Sequence, residues 1–298
     1  MFSKRETLTQ NIAYMGIMAA INVVFVLLTY FVPFLIFLLV FILPLTSVIV
    51  TLYCQKKYIP IYLIATIALC MIATINNFTD TLFYVIPALI SGVCFGLMVE
   101  KKVPSIWIIF VTSLITTGLS YAFVPLIQLI YQQNIIDIFT KILKIDDAKY
   151  LAYYIPCFFY LISLIQSVLC YMFIKAQLPK MGKTINDNNN NIFTYFAGIL
   201  LLFLHILFIF VYPQLSYLFT MWLIYFSCFI FVDLLLKIKV YIYIVLGICL
   251  IAQIVLFAVF YPSVANPYGF HLISISPVLV ICLGIVDNYL FENNTKIK

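Results

Sequence analysis

Apolar residues in this chain come in unbroken runs of about twenty, each closed by lysines, a proline or a short polar turn. Ten such runs can be read, over residues 12–31, 34–53, 58–75, 84–102, 106–131, 152–174, 192–212, 215–236, 240–261 and 271–291. Twenty residues of helix reach about 30 Å, the thickness of a bilayer's hydrocarbon core. A membrane barrel would instead alternate polar and apolar residues in strands of about ten. The pattern predicts an all-α, polytopic transmembrane bundle of about ten spans. Residues 132–150 differ: Ile135, Ile138, Phe139, Ile142 and Ile145 recur at helical spacing with charges on the other faces, as in a helix lying on the bilayer surface.

The polar tract 176–191, which ends in Asn186, Asp187 and four further asparagines, has no apolar period. It divides a six-helix membrane domain, 1–175, from a four-helix membrane domain, 192–298. With the N-terminus inside and ten spans, the cytoplasmic side receives Lys4, Arg5, Lys56, Lys57, Lys101, Lys102, Lys175, Lys180, Lys183, Lys237, Lys239, Lys296 and Lys298, which is 13 of the 16 basic residues. Only Lys141, Lys144 and Lys149 fall outside. That asymmetry predicts a multi-pass protein of the cell membrane with both termini and the asparagine tract in the cytoplasm.

Composition agrees. The 298 residues are 66% hydrophobic and 9% charged, against about 25% charged in an ordinary soluble domain. The net charge of +6 does not imply nucleic acid, because the lysines sit in pairs at the ends of runs. The eight cysteines never form CxxC and read as small residues inside apolar runs, Cys54 excepted.

The chemistry-bearing residues are few. His205 and His271 lie in separate runs, no span holds paired carboxylates, and no glycine-rich phosphate loop precedes a helix. The expectation is a protein that is not an enzyme, without cofactor or metal. Within the spans stand Asn22, Gln128, Gln166, His205, Asp233, Gln253 and Asp287, with Asp233 and Asp287 near helix ends that lysines can reach. Two small-xxx-small pairs, Gly16 with Ala20 and Gly92 with Gly96, suit close packing against partner helices. Pro44 predicts a kink or a cavity wall in the second span.

The first six runs resemble the membrane-embedded substrate-binding (S) component of energy-coupling-factor transporters. The resemblance rests on the small-residue first helix (Ala13, Gly16, Ala19, Ala20), Pro44 in the second, and IPALISGVCFGLMVEKK at 86–102. With Leu178–Pro179 and LGIVDNYLF at 283–291, the whole is similar to the YybS-like family of uncharacterised bacterial polytopic membrane proteins. The resemblance implies a six-helix bundle that binds a small vitamin-like molecule near the outer leaflet. It also implies that the small face of the first helix, Gly16 and Ala20, docks a transmembrane coupling subunit served by ATPases. The outer helix ends offer Asn76, Asn77, Asp80 and Gln128 as ligand-binding residues, with the segment around Ile138 as a cover. The other reading is a non-catalytic membrane scaffold or regulatory protein that uses its lysines and asparagine tract. Beyond membrane lipids, the partners expected are thus the small-molecule ligand and the coupling subunit.

Overall fold

The computed structural model describes residues 4–75, 81–131, 148–186, 192–236, 244–245, 247–248, 251–252, 255 and 274–286. Among these, no strand occurs, and the β-type pairing is an isolated bridge between Pro104 and Asn186. The helices are α1 (Leu8–Phe31), α2 (Ile36–Tyr53), α3 (Ile59–Ala73), α4 (Ile86–Glu100), α5 (Ser105–Tyr131), α6 (Ala148–Gln177), α7 (Ile192–Val211), α8 (Pro213–Leu236) and α9 (Ile275–Val286). Seven helical segments among the described residues are long and apolar enough to cross a membrane, and Phe41–Tyr53 and Ile275–Val286 are shorter apolar helices. An all-helical chain with these segments fits a multi-pass membrane protein whose apolar faces meet lipid.

Local chemistry sets the helix ends. Thr7 caps α1 through a capping box with Gln10, each side chain accepting from the other's backbone N–H. Pro60, Pro87 and Pro213 stand in the first turns of α3, α4 and α8, where a missing N–H costs nothing. A π-helical turn, Thr81–Val85, leads into α4, and the Thr81 hydroxyl lies 2.6 Å from that of Thr74 at the end of α3.

The chain divides into two compact units, Met1–Ile138 with Phe159–Asp187, and Phe139–Phe158 with Asn188–Lys298. In the first, α2 is the central element: Leu43, Val48, Val50 and Cys54 are fully buried. α1 turns Asn11, Met15, Ala19, Asn22 and Val26 inward at helical spacing, and Val26 joins Leu43, Cys70 and Leu89 in one apolar cluster. The opposite faces carry exposed aliphatics such as Ile12, Ile17, Ile64 and Ile72. In the second unit α7 buries Thr194, Leu201 and His205 and exposes Phe193, Phe196, Phe203 and Phe210. Polar groups inside and bulky apolar groups outside are the arrangement that a lipid solvent favours.

Residues 176–186 of the polar tract carry local structure that ties them to the first unit. Its start continues α6 and then forms a 3-10 turn, Leu178–Met181, in which Leu178 is buried. Tyr53 donates to the Met181 carbonyl at 2.6 Å, and the Ser105 N–H donates to the Asn186 carbonyl at 3.0 Å. Leu178 is an apolar anchor that the surrounding polar composition hides.

Candidate functional site

Four features of the two units could carry function, and the first is the contact of α2 with α4. A Cβ placed on Gly92 would lie 2.6 Å from the Pro44 carbonyl oxygen and 2.8 Å from the Ser47 Cβ. One on Gly96 would lie 2.8 Å from the Thr51 Cβ. The helix that this glycine pair receives is therefore α2 of the same chain, at the turn where Pro44 removes a helical hydrogen bond. Beside it opens a crevice lined by Ser91 of α4, Thr112 and Thr116 of α5, and Gln166 and Ser167 of α6, with Pro44, Gly92, Phe95 and Cys170 completing the wall. It has room for one water molecule, about 10 Å³. Ser91, Thr112 and Thr116 donate to carbonyls of their own helices, and Gln166 supplies a carboxamide.

The second feature is a buried amide. The Asn22 Nδ2 donates to the Tyr62 hydroxyl at 3.0 Å, and the Thr46 hydroxyl donates to Asn22 Oδ1 at 2.8 Å. One amide thus ties α1, α2 and α3 together. The Ser47 and Thr66 hydroxyls, both fully buried beside Tyr62, make no hydrogen bond of good geometry.

The third is the outer face of α1. Ala13, Gly16 and Ala20 are exposed, and among the described residues nothing lies within 4 Å of a Cβ built on Gly16. The two small-residue pairs therefore differ: Gly92 and Gly96 are filled from within the chain, whereas Gly16 and Ala20 present an open strip.

The fourth lies in the second unit. His205 of α7, 2% exposed, holds its Nδ1 3.2 Å from the Ser216 carbonyl and its Nε2 3.1 Å from the Ser274 hydroxyl. Thr220 donates to the Ser216 carbonyl at 3.0 Å, and Ser216 Oγ lies 3.3 Å from the His205 carbonyl. A neutral imidazole with the proton on Nδ1 satisfies every one of these contacts. The histidine joins α7 and α8 to Ser274, the residue just before α9. Among the described residues no group of three His, Cys, Asp or Glu side chains could hold a metal ion.

Of the expected ligand-binding residues, Asn76, Asn77 and Asp80 lie outside the described residues, as do 132–147 of the expected surface helix and Asp287. Gln128 stands half-buried in the last turn of α5. The crevice threonines and serines are residues that sequence reasoning passed over, because hydroxyls bonded to their own helix leave no mark on an apolar run. Comparison with protein-family models, with curated proteins and with solved structures finds no match.

Proposed function

We propose that this protein is a ten-span cell-membrane protein, both termini cytoplasmic, that serves as a solute-binding subunit of the S-component type. It binds a small vitamin-like molecule and passes it to a transmembrane coupling subunit driven by ATPases. The observation that carries this reading is the open strip of Ala13, Gly16 and Ala20 on α1. Helices in lipid gain nothing from the hydrophobic effect, so they associate where small residues let backbones come close. The chain's other small-residue pair is already occupied by α2, which leaves this strip for a partner. Asn76, Asn77, Asp80 and Gln128 remain the ligand-binding residues of the proposal, and the Pro44 crevice is the space that solute entry would widen.

A second reading, a membrane scaffold without a solute, is favoured by the size of that crevice, which fits a single water where a small-molecule site takes about 300 Å³ or more. Purification from native membranes in mild detergent separates the two. The solute-binding reading expects a coupling subunit, its ATPases and a retained small molecule to accompany the wild-type chain, and Gly16→Leu to lose the proteins but keep the molecule. Recovery of neither proteins nor molecule overturns it, and recovery of a partner protein without any small molecule favours the scaffold.

A further inference from the structure

Four segments of the first unit meet at one end. The Arg5 N–H donates to the Tyr53 carbonyl at 2.8 Å, and the Gln55 carboxamide donates to the Glu6 carbonyl at 2.6 Å. Tyr53 reaches Met181, and the Asn186 carboxamide donates to the Lys102 carbonyl at 3.1 Å. The N-terminus, the α2–α3 turn, the α4–α5 turn and the segment after α6 are thereby stitched into one surface.

That surface is strongly cationic. Lys4, Lys56, Lys101, Lys102, Lys180 and Lys183 are all exposed on it. The carboxylates among its described residues are Glu6 and Glu100. Glu100 pairs with Lys56 at 2.8 Å and Lys4 at 3.9 Å, and Lys183 also lies within its electrostatic reach. One carboxylate thus faces three ammonium groups, and the neighbouring Lys101 and Lys102 add two more. A cationic surplus of this kind at the end of an apolar helical bundle attracts anionic headgroups by about 1 kcal/mol per lysine near the surface.

We infer that this end of the first unit is a docking surface for anionic phospholipid headgroups, with Lys56, Lys101, Lys102 and Lys183 supplying the excess positive charge and Glu100 holding it in check. The lysines have complementary charge for phosphate oxygens, and each is a flexible point donor suited to a headgroup that arrives in many poses. Glu100 competes with the lipid for Lys4 and Lys56, so its role has the opposite sign to theirs.

The test uses the full chain reconstituted in nanodiscs of equal phosphatidylcholine and phosphatidylglycerol, with the lipids retained after delipidating washes counted by native mass spectrometry. Wild type should retain phosphatidylglycerol in preference. Lys101→Gln with Lys183→Gln should cut the preference by about fivefold per lysine, the corresponding arginine variants should keep it, and Glu100→Gln should increase it. An unchanged lipid ratio in the lysine-to-glutamine variant overturns the inference. So does a fall in the preference with Glu100→Gln, because a merely structural salt bridge loses in both directions. Loss of an acidic partner protein with an unaltered lipid ratio assigns the surface to protein docking instead, and also overturns it.

Discussion

The Cα of Gly92 in α4 rests against the backbone of Pro44 in α2, so that a methyl group on Gly92 would come within 2.6 Å of the Pro44 carbonyl oxygen. Backbone atoms cannot step aside as a side-chain tip can. Gly92→Ala should therefore destabilise the first unit by about 1–3 kcal/mol, the usual cost of overpacking, whereas Gly16→Ala, which meets nothing within 4 Å, should leave stability within about 0.5 kcal/mol of wild type. Thermal unfolding in detergent, followed by a fluorescent thiol probe, measures both. Equal effects would show that α2 and α4 are not in backbone contact.

Asn22, Tyr62 and Thr46 give a second prediction. Tyr62→Phe removes the acceptor of the Asn22 amide, and Asn22→Leu removes a partner from both Tyr62 and Thr46. Each should cost about 1 kcal/mol. The double variant should cost less than the sum by about 0.6 kcal/mol, the typical coupling of a hydrogen bond between membrane helices. Strict additivity in a double-mutant cycle would mean that the amide and the phenol do not interact.

Two helix ends at the cationic surface close in the same way, with different residues. After α4, Val103 N–H donates to Met98 and Lys102 N–H to Val99, with Lys102 at φ +55°. After the turn that follows α6, Lys183 N–H donates to Leu178 and Gly182 N–H to Pro179, with Gly182 at φ +69°. Both are Schellman closures, and the left-handed residue prefers glycine. Lys102→Gly should raise stability by about 0.5–1 kcal/mol and Gly182→Ala lower it by about 1 kcal/mol, from the cost of a Cβ in left-handed backbone. A melting temperature that falls with Lys102→Gly would contradict this closure.

Cys54 follows α2 and is fully buried. Burial pushes its thiol up, while the Arg5 guanidinium pulls the other way more weakly. A thiol whose folded value is raised stabilises the fold below its unfolded value and loses that contribution as pH climbs through the folded value. Maleimide labelling of Cys54 should accordingly be slow at neutral pH, quicken only under alkaline conditions, and become fast once the chain is denatured. Rapid labelling of folded protein at neutral pH, mapped to Cys54 by mass spectrometry, would show that this thiol is open to water.

His205→Phe should weaken the second unit by about 1–3 kcal/mol, since the Ser216 carbonyl and Ser274 hydroxyl would lose the ring nitrogens that meet them. Limited proteolysis should then cut first between α7 and α8, near Pro213. A cleavage pattern identical to wild type would mean that the imidazole is not what joins these helices.

Much of this fold is legible in the sequence because lipid leaves a coarse signature. The run 34–53 ends where α2 ends, at Tyr53, and the lysine pair Lys56 and Lys57 follows that end. What escapes is the direction in which each helix faces. A helix that is apolar all round has almost no moment, so nothing in the order of residues distinguishes the open Gly16 from the filled Gly92. Leu178 is hidden for the converse reason: one buried leucine in a polar tract carries no period. The crevice hydroxyls and the His205 contacts depend on side chains from segments far apart in sequence, Ser274 being 69 residues from His205, which spacing along the chain cannot reveal.

Because α2 and α4 touch through bare main chain at Gly92 and Gly96, neither can slide or rotate without the other. The pair is a stator. Any widening of the adjoining crevice must come from the α5 and α6 side, where threonine, serine and glutamine side chains rather than bare main chain form the wall. Motion in this half of the molecule is thus apportioned by two missing methyl groups.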